Sequence, residues 1–96
     1  MGVAENLKNK REAILRIAAD YGGRNVRLFG SVAKGTTSED SDVDILVDLD
    51  SGRSLLDLVA MKQDLEDLLG RPVHVVTPLS LSPYIRDEVL KETVGL

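Results

Sequence analysis

Between Asp42 and Val76 the chain reads strand, helix, strand, and that order leaves few folds open. Asp42 to Leu49 alternates, with Val43, Ile45, Val47 and Leu49 on one face and Asp42, Asp44, Leu46 and Asp48 on the other. Ser54 to Leu69 places Leu55, Leu58, Val59, Leu65, Leu68 and Leu69 at helical spacing. Ser54 is its N-cap, with Asp57 three residues on; Gly70 follows its last turn and Pro72 bars continuation. Val73 to Val76 is short, apolar and β-prone. Two strands joined through a helix cannot form a hairpin, so the second should lie parallel to the first.

The flanking segments extend this unit. Glu5 to Tyr21 has the pattern of an amphipathic helix, with Leu7, Ile14, Ile17, Ala18 and Tyr21 on one side, and Gly22-Gly23 ends it. Val26 to Phe29 is a further strand, and Ser82-Pro83 opens a last helix with proline in its first turn. The expected order is α-β-β-α-β-α, a small α/β (α+β) domain with a mixed β-sheet flanked by helices. Ninety-six residues fit one domain, 1–96, with a single core and little margin.

Composition excludes several classes. There is no cysteine, so disulfides and thiolate metal sites are unavailable. No apolar run approaches the roughly 20 residues that span a bilayer. The first six residues match neither a myristoylation signal nor the apolar core of a secretory leader. The expectation is a cytoplasmic protein with no membrane association. A net charge of −4 argues against direct nucleic-acid binding. The acid is concentrated: Glu39, Asp40, Asp42, Asp44, Asp48 and Asp50 fall in one stretch. Such a cluster repels itself unless water, cations or basic groups compensate.

Three readings compete for the segment from Gly30 to Asp44. A Walker phosphate loop needs Gly, four residues, then Gly-Lys-Ser/Thr. Gly30 and Gly35 have the spacing, but Lys34 precedes the second glycine and Thr36 follows it. A calcium loop starting at Asp40 needs glycine at its sixth position and glutamate at its twelfth, where this chain has Ile45 and Ser51. The third reading is metal-assisted phosphoryl transfer. Asp42 and Asp44 share a strand face with α-carbons about 6.5–7 Å apart, so their carboxylates can converge on Mg²⁺. Gly30 lets backbone approach a phosphate, the adjacent N–H groups and the Ser31 hydroxyl can donate to its oxygens, and Lys34 can add positive charge. The reaction needs these parts because its barrier lies in gathering negative charge and aligning the groups.

Gly30-Ser31, ten intervening residues, then Asp42-Val43-Asp44 resembles the signature of the DNA polymerase β-type nucleotidyltransferases. The run Phe29-Gly30-Ser31-Val32-Ala33-Lys34-Gly35 and the short chain are similar to the minimal nucleotidyltransferase (MNT) branch. The resemblance implies a polymerase β-like nucleotidyltransferase fold, ATP as donor and Mg²⁺ as cofactor. It assigns metal to Asp42 and Asp44 and nucleotide phosphates to Gly30, Ser31 and Lys34. For the branch it further implies an antitoxin that silences a HEPN-domain ribonuclease toxin by transferring AMP to one of its tyrosines, in a homo- or hetero-oligomer.

Two positions depart from the pattern. The family usually carries a third carboxylate on the next strand, and the matching position is His74. A neutral imidazole could ligate a metal or accept a proton, so His74 joins Asp42 and Asp44 as a candidate catalytic residue. It brings no negative charge, and Mg²⁺ prefers oxygen. Lys34 stands where relatives often have arginine, so a point charge replaces a planar fork. Two other readings therefore stand beside the first: a weakened nucleotide-binding module that neutralises its partner by contact alone, and a transferase acting on a small molecule such as an aminoglycoside. Asp48 shares the face of Asp44, and solvated strand-end acids are the simpler reading of Asp48 and Asp50.

Overall fold

A computed structural model of the chain describes residues 7–30 and 42–96. Residues 7–9 are helical and lead into α1 (Arg11–Asp20). Then follow β1 (Gly23–Phe29), β2 (Val43–Leu49), α2 (Leu55–Leu69), β3 (Val73–Val76), a 3₁₀ turn (Pro78–Ser80), α3 (Pro83–Lys91) and β4 (Val94–Gly95). The strands form one sheet in the order β3-β2-β1-β4. β2 pairs antiparallel with β1 and parallel with β3, as the helical crossover requires, and β4 pairs antiparallel with β1.

Both helices of the core lie on one sheet face, α1 against β1, α2 against β3, and each against the other. The core joins Ile14 and Ala18 of α1, Val26 and Leu28 of β1, Val43, Ile45 and Val47 of β2, Met61, Leu65 and Leu69 of α2, and Val73 of β3. The alternation expected of β2 holds on this face: Val43, Ile45 and Val47 are each fully buried. Among the described residues no polar or charged side chain is buried. The opposite face carries the rows Phe29–Asp44–His74 and Arg27–Leu46–Val76, because Cα partners in adjacent strands project to the same side. Leu46 is fully buried there too, which makes its row the floor of the polar face.

The helix ends are built as their residues foretell. Ser54 Oγ accepts from the Leu56 amide at 3.3 Å, and the Ser54 amide donates to Asp57 at 2.9 Å, closing a capping box. Gly70 ends α2 in the left-handed region at φ 68°. Glu66 then anchors the turn into β3. It accepts from Lys62 Nζ at 2.9 Å and from the Val73 amide at 3.0 Å. Those bonds, the Lys62 one foremost, hold its carboxyl below the usual carboxylate range.

Four features depart from the sequence-based expectation. β1 starts at Gly23 rather than Val26, because Gly23 and Arg24 already pair with Leu49 and Asp48. A register shift between Arg24 and Arg27 puts one extra residue on β1, with Asn25 in the left-handed region at φ 53°. This bulge sets Val26 and Leu28 inward and leaves Arg27 on the polar face. β4 and the 3₁₀ turn are too short to leave a periodic signal. The apolar stripe of α2 is displaced toward its C-terminal half: Met61, Leu65 and Leu69 are buried, whereas Leu55 and Leu56 are 76% and 78% exposed. Leu58 and Leu68 also pack against the core, so leucine spacing placed the buried face and erred at Leu55 and Val59, which stay exposed.

That displacement can be measured. Leu65→Ala should lose about 2–5 kcal/mol in urea unfolding, since it opens a cavity in a closed core. Leu55→Ala should change stability by no more than about 0.5 kcal/mol. Equal losses would place the first turn of α2 in the core after all.

Candidate active site

The candidate site forms where the C-terminal end of β1 meets the N-terminal end of β2. Antiparallel pairing sets Phe29 against Asp44, so Gly30 falls beside the Asp44 carboxylate. Parallel pairing on the other side sets His74 against Asp44. Asp42 lies one residue before β2 and meets His74, whose Nε2 is 2.9 Å from Asp42 Oδ2. Gly30, Asp42, Asp44 and His74 therefore converge at one corner of the polar face. Ser31 and Lys34 lie outside the described residues.

Gly30 is required here for two reasons. Its φ is +71°, a conformation that side-chain-bearing residues rarely adopt. A methyl group on it would also collide with Asp44 Oδ2. The backbone thus forms one wall of a cradle whose other wall is a carboxylate. Asp44 is partly buried, and burial pushes its carboxyl above the usual carboxylate range. His74 opposes that rise, and the neighbouring Asp42 adds to it. A desolvated acid beside a second acid is what a divalent cation relieves. The donor set of Asp42 and Asp44 therefore fits such an ion in chemistry and placement. Among the described residues no group of three or more His, Asp or Glu side chains is arranged to hold a metal. An ion held by the two acids would draw its other ligands from water and substrate oxygens.

Among the described residues the other two acids of the cluster, Asp48 and Asp50, are otherwise engaged. Asp48 accepts from Arg27 Nη2 at 2.9 Å and from Asn25 Nδ2 at 3.2 Å. Asp50 is ion-paired with Arg24. Both are paired rather than simply solvated, which corrects the simpler sequence reading. Asp48 is consequently tied to arginine. Arg27 and Asn25 were not singled out in the sequence. The signal was the alternation of Arg27 with the inward Val26 and Leu28, hidden by the bulge. A cleft of about 500 Å³, lined by Asp50, Arg53, Leu55, Leu58, Pro78 and Leu79 among others, opens at the other end of β2 and includes none of the four converging residues.

Known proteins resemble the chain over nearly its whole length. The sequence profile of the "Nucleotidyltransferase domain" family matches residues 8–96. The "Putative protein adenylyltransferase MJ0435" of Methanocaldococcus jannaschii is 40% identical over 91 residues, 95% of this chain and 98% of that protein. The "Protein adenylyltransferase MntA" of Thermococcus cleftensis is 45% identical over 74 residues, 77% of this chain and 75% of that one. A solved "putative minimal nucleotidyltransferase" has a TM-score of 0.88 at 46% identity, covering 97% of this chain and 95% of its own. A toxin–antitoxin structure with AMP-PNP shares the fold at a TM-score of 0.75 and 24% identity, covering 88% of this chain and 69% of its own.

Two tests follow from the geometry. Gly30→Ala should abolish nucleotide binding by calorimetry while circular dichroism still shows a folded protein; binding within threefold of native would remove the glycine from the cradle. Asp44→Asn addresses the acid. A carboxyl raised by burial is less stable charged in the folded state than in the unfolded chain, so native stability falls as pH rises through and above the carboxylate range. Metal-free Asp44→Asn should therefore melt higher than native at pH 7, with the gap closing as pH falls below about 4. A gap independent of pH would contradict the desolvated acid.

Proposed function

The chain belongs to the nucleotidyltransferase domain family, and on that premise we propose that it is a protein adenylyltransferase of the antitoxin type, a single minimal domain over residues 1–96. It transfers AMP from ATP to a tyrosine of a helical HEPN-domain ribonuclease toxin. In the reaction the acceptor oxygen bonds to the α-phosphorus, the bond from that phosphorus to the pyrophosphate oxygen breaks, and the acceptor proton is lost to a base. The observation that carries the reading is the convergence of Gly30, Asp42 and Asp44 at one sheet corner, within a chain matched almost end to end by its relatives.

Each residue has a stated task. Asp42 and Asp44 hold the divalent cation, Mg²⁺ by resemblance. When bound, that ion neutralises charge on the phosphates as the leaving group departs. Gly30 lets the phosphates approach the backbone, with the Ser31 hydroxyl and Lys34 charge as further donors. His74 faces Asp42 at the position of the family's third acid. Among the described residues no helix is long and apolar enough to cross a membrane, which is compatible with a partner and ATP in the cytoplasm.

The same His74 favours a second reading, neutralisation of the toxin by contact alone. A neutral ring in place of an acid leaves the site with one charge fewer. One experiment separates the two. The chain is incubated with α-labelled ATP, a divalent cation and a candidate HEPN-domain toxin, and label on the partner is followed. The native chain should label a partner tyrosine, and Asp42→Asn with Asp44→Asn should label it at least about a hundredfold more slowly, since charge stabilisation at such a site carries several kcal/mol. Absence of labelling while the toxin remains neutralised, equally by native and double variant, would establish the contact-only module instead.

A further inference from the structure

We infer that His74 and Asp42 present a nitrogen–oxygen ligand edge, and that this site takes a first-row transition ion such as Mn²⁺ in preference to Mg²⁺. The inference rests on the reading of Asp42 and Asp44 as metal-holding acids. It concerns the identity of the ion and requires no acceptor or turnover.

The first support is the spacing of the donor atoms. His74 Nε2 and Asp42 Oδ2 stand 2.9 Å apart. Neighbouring donors on an octahedral ion with bonds of about 2.1 Å are separated by about 3 Å. The two atoms are therefore already at the separation of adjacent ligands on one ion. In the metal-free protein a ring proton bridges them, Nε2–H donating to the carboxylate. An ion bound to both atoms would sit beside the N···O line rather than on it, so with the ring hydrogen on Nδ1 the imidazole turns to aim Nε2 at the ion while the spacing of the pair is kept.

The second support is access and anchoring. The His74 and Asp42 side chains are 54% and 48% exposed, so an ion can enter without unpacking the core. Cα pairing of His74 with Asp44 fixes the ring in the same row as the second acid. Among the described residues no set of three such side chains is arranged to hold a metal, so the protein offers few donors and the ring nitrogen is a large share of its contribution.

Preference follows from donor chemistry. Mg²⁺ is hard, sheds water reluctantly and selects oxygen. Exchanging a carboxylate for an imidazole removes a negative charge that Mg²⁺ needs and adds a nitrogen that transition ions accept. The cost therefore falls unequally on the two ions.

The test uses the full chain, without an affinity tag, because His74 is its one histidine. Pulsed electron paramagnetic resonance on the Mn²⁺ complex without nucleotide should show imidazole nitrogen modulation. His74→Asp and His74→Ala, each confirmed as folded by circular dichroism, should lose it. Calorimetric titration with Mn²⁺ and with Mg²⁺, repeated with AMP-PNP, should show the affinity ratio of Mn²⁺ to Mg²⁺ falling by about tenfold or more in His74→Asp, since that change is worth about 1.4 kcal/mol. Absence of nitrogen modulation in the native complex, no Mn²⁺ binding without nucleotide, or an unchanged ratio in His74→Asp would each overturn the inference. Nitrogen coordination without AMP transfer would leave the ion assignment standing and remove the adenylyltransferase reading alone.

Discussion

The pairing of β2 with a neighbour on each side is the constraint on which the rest depends. Val43, Ile45 and Val47 bury one face of that strand against two helices, which locks its register, since a slip of one residue would turn Asp44 into the core. With the register locked, the acids can only face the other way. The same two ladders then deliver Gly30 from β1 and His74 from β3 to either side of Asp44. The apolar core and the polar corner are thus two faces of one decision about β2.

That decision places charge where it is unfavourable for the folded chain alone. Asp44 is partly desolvated, stands near Asp42 and leans against backbone at Gly30. Among the described residues the ring of His74 moderates it. Among the described residues the other acids have arginines: Arg27 for Asp48 and Arg24 for Asp50. Charge compensation is therefore divided along β2. Among the described residues arginines meet the acids of its C-terminal half, and at its N-terminal end the ring of His74 meets Asp42. Stability is commonly sacrificed at sites that must receive a ligand.

His74 stands where the resemblance to the polymerase β-type nucleotidyltransferases places a third acid. A carboxylate there would add a third negative charge to the corner, whereas the imidazole hydrogen-bonds Asp42 and lowers the local repulsion. The gain in the metal-free protein and the altered donor set have one cause. The bulge at Asn25 serves the same division, because the extra residue keeps Arg27 on the polar face within reach of Asp48.

Much of this was legible in the residues themselves. Alternation from Val43 to Leu49, the Ser54–Asp57 cap and the Gly70–Pro72 stop define a strand–helix–strand unit by local rules, and a helical crossover dictates parallel pairing. Gly30 and the Asp42–Asp44 pair were readable because special backbone freedom and two acids on a strand are costly without a use. What tertiary structure alone decided depends on contacts distant in sequence. Leu55 and Leu56 in the first turn of α2 are exposed while Met61, Leu65 and Leu69 are buried, which leucine spacing does not encode. Asp48 is paired because a one-residue bulge in β1 turns Arg27 toward it. His74 meets Asp42 because β2 and β3 run side by side in one particular register, across 32 residues of chain. Periodicity reports which way a side chain points along its own element; only the packed sheet determines what it meets there.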